Sequence, residues 1–255
     1  MFVASSYDPE RSPPVPMAEP MDITVLDVVG SVVAIDKPSG MLSVPGRGPE
    51  KADCAAARVR ARFPEATGPL VVHRLDMDTS GVMVFALDAA TQRALSMQFE
   101  RRETEKRYIA LVEGIVERDE GVIEAPLRLD VDRRPFRVVD YEQGQPARTR
   151  WRVLSRETDR TRVEFEPLTG RTHQLRVHAA AARPAGLGHA IVGDVLYGEA
   201  GERVRAMLDG GEEPPHGEAL QRLTGAPRLM LHASWLRVRD PGSGKWVEFE
   251  SGAGF

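Results

Sequence analysis

Two short polar segments carry most of the reactive side chains of this 255-residue chain. The first, His73-Arg74-Leu75-Asp76-Met77-Asp78-Thr79-Ser80-Gly81, sets two carboxylates two positions apart beside an arginine. A carboxylate that attacks an electrophile must be ionised, and a cation within a few ångströms favours that form. The second, Gly170-Arg171-Thr172-His173-Gln174-Leu175-Arg176, falls where a strand ends and a helix begins. A helix N-terminus with an arginine beside it is an electropositive corner, suited to a phosphate or to a carboxylate on another loop. Texture alone leaves Asp76 and Asp78 as equal candidates. Each segment also has a bland reading, an Asx-type turn for the first and a capped helix with solvated arginines for the second. His73, His173 and His178 read as hydrogen-bonding supports rather than as acid–base groups.

The neighbouring elements are what would hold these segments still. Residues 70–72 and 82–87 are apolar runs that read as buried strands, so the polar loop between them joins two core elements, where a rigid scaffold displays chemistry. Upstream, residues 23–26 and 32–35 read as strands about a turn, and Asp36-Lys37-Pro38-Ser39-Gly40 breaks the second. Residues 52–63 read as a surface helix stopped by Pro64. Asp88 can cap a helix over residues 89–101, with Leu95 and Phe99 four apart on one face. Strands are expected over residues 106–112, 121–125, 148–154 and 161–167, then a helix over 172–182. Residues 199–227, rich in Gly, Pro and Glu at their centre, read as a surface insertion around a short helix, and the last strands fall at 229–238 and 245–249. The expected architecture is α+β: one domain over residues 22–255, built on a mixed, largely antiparallel sheet flanked by helices. The proline-rich residues 1–21 are expected to be a disordered leader.

Composition narrows the function classes. The 42% hydrophobic and 28% charged residues are those of an ordinary globular protein. No apolar run approaches a membrane helix and the start lacks a signal-peptide block, so a cytoplasmic protein without a membrane partner is expected. The single cysteine, Cys54, forms no internal disulfide, and no His/Cys cluster has metal-ligand spacing. A net charge of −4 counts against a nucleic-acid partner in sum, yet residues 147–183 carry nine arginines against four acids. Only Lys37, Lys51, Lys106 and Lys245 are lysines among the 34 basic residues, and arginine suits bidentate phosphate contacts.

Taken together, Asp36 to Gly40, His73 to Asp76 with Thr79-Ser80-Gly81, Lys106-Arg107-Tyr108, Gly170 to Arg176, and Val192-Gly193-Asp194 with Tyr197-Gly198 resemble, in order, the motifs of the RluA family of pseudouridine synthases. The resemblance implies the pseudouridine synthase fold and an isomerase that detaches uracil from its ribose, turns it and reattaches it through carbon 5, without cofactor or metal. It implies Asp76 as the catalytic aspartate, Arg171 as the carboxylate's partner and Tyr108 as the ring that packs on the target base. It further implies Arg74 as the arginine that helps displace the target nucleotide, and Leu175 as an apolar residue beside the site. With no room for an N-terminal S4 domain, it points to the compact members, monomers acting on stem-loops of ribosomal or transfer RNA. The acidic residues around 210–217 depart from the pattern and bear on the RNA-binding edge. Two other classes compete. A binding module that has lost its activity is opposed by the presence of Asp76, Tyr108 and Arg171 together. A glycosidase using Asp76 and Asp78 would need them on opposite faces of a bond, which two positions in one loop do not offer.

Overall fold

Alternation along the central strands builds three adjoining cores on the two faces of one sheet. The computed structural model describes residues 22–211, 215 and 217–255; the leader read over residues 1–21 lies outside them, as does part of the acidic stretch around 210–217. In β2 (Val32–Lys37) and β3 (Ser80–Ala86) nearly every residue is buried. Val33, Ile35, Met83 and Phe85 face a core closed by α1 (Ala55–Arg62), while Val32, Ala34, Val82, Val84 and Ala86 face a second core with Leu95. Leu95 lies on α2 (Ala89–Arg101), which Asp88 caps by accepting from the Thr91 amide, as its sequence predicts.

A nine-stranded sheet runs in the order β1 (Thr24–Val29), β2, β3, β10 (Leu231–Arg239), β4 (Glu105–Glu113), β9 (Arg160–Pro167), β8 (Arg148–Arg156), β5 (Glu120–Glu124). The ninth strand, β11 (Trp246–Glu250), pairs with the far half of β10. All pairings are antiparallel except β3 with β10, which meet at Ser80–His232 and Gly81–Ala233 only. That junction requires a glycine: Gly81 has φ 111°, and a Cβ there would lie 2.3 Å from the Ala233 carbonyl oxygen. Beyond β4, the third core fills the space between β4, β5, β8 and β9 and α3 (Gln174–Ala180). The site therefore sits where the two halves of the sheet meet, with Tyr108 of β4 packing against the cores of both.

Three segments depart from the sequence reading. Residues 70–72 make no strand, only a single bridge from Val71 to Phe85 on the edge of β3 opposite β2, with Leu70 buried against the core there. A small hairpin of β6 (Leu127–Leu129) and β7 (Arg137–Val139) forms where no element is expected; three-residue strands are too short to show periodicity. Within residues 199–227, two helices form, α4 (Gly198–Asp209) and α5 (Gly217–Thr224), in place of one. Ala200, Val204 and Ala226 are buried there.

Candidate active site

Asp76 opens a turn that the Thr79 amide closes on its carbonyl at 3.1 Å, and the rest of the loop is held from outside. These outer anchors are Lys37, the last residue of β2, and Ser39, Gly40 and Ser43 just after it. Met77 O accepts from the Gly40 amide and from Lys37 Nζ, both at 2.9 Å. Ser39 Oγ donates to Asp78 O at 2.7 Å, and Ser43 Oγ donates to Leu75 O at 2.6 Å. Lys37 itself is fully buried and donates to Pro38 O, Met41 O and Met77 O. Burial holds its ammonium down at about 8, against the pull of Asp78, Asp76 and Asp36. On the other side of the loop, His73 Nε2 accepts from the Val84 amide and its ring stacks on Phe99 at 4.4 Å. Burial pushes this imidazole down to about 3, so it is a neutral support, as expected.

The loop opens on a cavity of about 680 Å³ lined by Asp76, Arg74 and Leu75, by Phe99, Arg102 and Lys106, by Tyr108, and by Gly170, Arg171, Leu175 and Arg176. All five expected site residues thus line one space. Asp78 does not. Its carboxylate turns to the back, 3.9 Å from the Arg176 guanidinium, and burial raises its pKa against the pull of that arginine. Geometry therefore separates two aspartates that sequence texture leaves equal. Tyr108 lies close enough to Asp76 to feel its charge: burial first, then Asp76, raises the phenol. Leu175 is buried in the core beneath the cavity, and Arg74 is exposed at its rim.

The arginine beside the carboxylates is Arg176 rather than the expected Arg171. Arg171 makes no ion pair among the described residues, and its Nε donates to Pro146 O at 3.2 Å. Arg176, with 2% of its side chain exposed, forks onto Asp194 through Nε at 2.8 Å and Nη2 at 2.6 Å. Burial would depress this guanidinium, but Asp194, Asp76 and Asp78 outweigh it and raise it. The signal was present in the sequence: in Gln174-Leu175-Arg176-Val177, an arginine interrupts the apolar face of a short helix, and buried arginine needs a carboxylate partner. Asp194 supplies it and also accepts from the Leu196 and Tyr197 amides. Tyr197 OH in turn meets His173 Nδ1 at 2.8 Å and accepts from the Arg137 amide. These contacts absorb the Gly193-Asp194 and Tyr197 motif into the wall of the site.

The arginine-rich stretch has a different use from the one its sum suggests. Across the strands, Arg148, Arg150 and Arg152 pair with Glu124, Glu166 and Glu164. Arg156, Arg160, Arg162 and Arg183 have acidic partners within 4.0 Å, as does Arg176. Arg171 alone of the nine has none among the described residues. Exposed cross-strand pairs contribute little stability, about 0–1 kcal/mol each, and they cancel charge that would otherwise attract phosphate. Four cations without an acidic partner among the described residues line the cavity, Arg74, Arg102, Lys106 and Arg171, and only the last of them comes from this stretch. Among the described residues no cluster could hold a metal ion, and no helix is long and apolar enough to cross a membrane.

Residues 31–181 match the model of a family described as RNA pseudouridylate synthase. The chain belongs to that family. It is 43% identical over 225 residues to the dual-specificity RNA pseudouridine synthase RluA of Yersinia pestis, covering 88% of this chain and 96% of that one. The RluA of Escherichia coli strain K12 is 42% identical over 225 residues, 88% and 90% of the two chains. Among solved structures, human RNA pseudouridylate synthase domain containing 1 superposes with a TM-score of 0.68 at 27% identity, over 93% of this chain and 86% of that one. Human RNA pseudouridylate synthase domain containing 4 gives 0.66 at 25% identity, over 90% and 88%. These likenesses place the chain in the RluA family of that class: it is an RNA pseudouridine synthase, an isomerase acting on uridines of RNA.

Proposed function

We propose that the enzyme, with residues 22–255 as its catalytic domain, acts as a cytoplasmic monomer on uridines in stem-loops of ribosomal RNA, transfer RNA or both, with Asp76 as its catalytic carboxylate. The observation that carries this reading is the loop pinned by Lys37, Gly40, Ser39 and Ser43, which aims one aspartate into a cavity walled by a tyrosine and unpaired cations. A uridine in a stem-loop must leave its stack to enter, at a cost of a few kcal/mol. Stacking on the Tyr108 ring offsets about 1–3 kcal/mol of that. Arg74 at the rim takes the place the nucleotide vacates, Leu175 closes the apolar floor, and Arg171 meets the RNA backbone from the lip of the cavity.

Isomerisation breaks the bond from C1′ to N1 and makes one from C1′ to C5; N1 gains a proton and C5 loses one, so nothing is consumed. Each route between these states needs one carboxylate at the sugar–base junction, and Asp76 occupies that position. Arg176 stands behind it as fixed positive charge, held by Asp194 so that it does not close onto Asp76. The dual-specificity name of the relatives supports a substrate range that includes more than one RNA.

Mapping pseudouridines in ribosomal and transfer RNA from cells with and without the gene tests the proposal. At least one site in a stem-loop disappears in the deletion and returns with the wild-type chain but not with Asp76→Asn. Unchanged maps would refute it.

A further inference from the structure

Lys106 is the one side chain of the Lys106-Arg107-Tyr108 motif that enters the cavity without an assigned task. We propose that Lys106 Nζ binds a phosphodiester oxygen of the RNA next to the target uridine. This rests on the RNA-modifying reading above and adds an anion site to it.

Four observations carry the inference. Lys106 and Tyr108 are two apart on β4 and both line the cavity, whereas Arg107 between them turns to the other face and covers Trp235 at 4.4 Å. Two strand residues span about 6.6 Å, so a base on the Tyr108 ring brings its backbone within reach of the ammonium. Among the described residues Lys106 forms neither a hydrogen bond nor an ion pair, and burial lowers its pKa. Nor is Nζ among the sealed, unsatisfied atoms, so it is open to the cavity. Finally, Nζ faces Gly170, where a Cβ would stand 3.7 Å away, and the missing side chain leaves room in front of it. Four acids line the cavity: Glu105 pairs with Arg237 and Glu166 with Arg150, both at 3.3 Å, and neither these nor Asp76 and Glu100 form an ion pair with Lys106. An ammonium withdrawn from bulk water with no partner is costly to maintain. The negative group that accompanies a uridine into such a space is its phosphate. A structural role, holding the Phe99 ring from 6.0 Å, is weak at that distance.

The test uses the full chain and a pool of unmodified tRNA and ribosomal stem-loop transcripts labelled with tritium at uridine C5, whose release reports isomerisation. RNA affinity and turnover are measured from 0.05 to about 0.4 M KCl for wild type, Lys106→Met, Lys106→Gln and Lys106→Arg. The neutral variants keep the wild-type melting temperature, bind about tenfold more weakly at low salt, and lower the slope of log affinity against log salt by about 0.7–1, one phosphate contact. Lys106→Arg keeps the slope. An unchanged slope in both neutral variants, with turnover lowered, would overturn the inference in favour of a packing role. Failure of the wild type to release tritium while the slopes still differ would sink the proposed function and leave the anion site standing. No binding by any protein would remove both.

Discussion

Replacing Arg176 by lysine keeps a positive charge in the wall of the site but removes the planar fork. In the wild type, Nε and Nη2 reach the two oxygens of Asp194 at 2.8 and 2.6 Å, and Nη1 lies 3.9 Å from Asp78. The shorter ammonium can meet Asp194 or turn toward Asp78 and Asp76, but not both. One charge-assisted hydrogen bond lost in a buried pair corresponds to about 1.5–3 kcal/mol. At about 2–4 °C per kcal/mol for a chain of this size, Arg176→Lys melts about 3–12 °C below wild type. If the same energy is lost from the transition state, turnover falls about 10- to 150-fold. Arg171→Ala loses only a 3.2 Å hydrogen bond to a carbonyl, so its melting changes by no more than a few degrees and its effect falls on KM. Tritium release from C5-labelled RNA gives kcat and KM, and calorimetry gives the melting temperatures. A hundredfold loss of kcat in Arg171→Ala beside an unchanged, equally stable Arg176→Lys would refute the assignment of the carboxylate's partner.

The two aspartates are separable by the same assay: Asp76→Asn reduces turnover to background with RNA binding retained, while Asp78→Asn keeps measurable activity, since its carboxylate faces Arg176 and not the cavity. Equal losses in the two would contradict the geometry. Lys37 makes stability depend on pH. Because burial lowers it to about 8 in the fold from 10.5, the unfolded chain binds more protons between those values, so its contribution to stability rises with pH across that window, by at most about 3 kcal/mol. Urea unfolding of wild type and Lys37→Met from pH 7 to 10.5 measures it as the difference in slope, and parallel curves would exclude it. Lys37→Met also loosens the loop at Met77 O, so turnover drops more than stability below pH 8. Gly81→Ala forces a Cβ to 2.3 Å from the Ala233 carbonyl at φ 111°, separating β3 from β10. It is expected to lose more than 3 kcal/mol in chemical denaturation, and wild-type stability would show that the strands part freely.

Much of the scaffold was legible because its signals are local. The Asp88 cap and the Leu95 and Phe99 spacing define α2 over Ala89–Arg101 from within the segment, and the unbroken apolar run of β3 announces a strand buried on both faces. Motif order likewise pointed to the family and to one cavity holding Asp76, Tyr108, Arg74, Arg171 and Leu175. What the chain could not state by itself were relations between residues far apart. Whether Asp76 or Asp78 faces the cavity depends on how the loop is tied to Lys37, Gly40 and Ser39, and whether Arg171 or Arg176 stands behind it depends on Asp194 arriving from beyond α3. The arginine-rich stretch is a basic surface only until its cross-strand glutamates are placed opposite, which register alone determines. Hydrophobic periodicity and capping act over a few residues, whereas charge pairing acts through space, so the sequence specified the elements and the tertiary structure chose which charges meet.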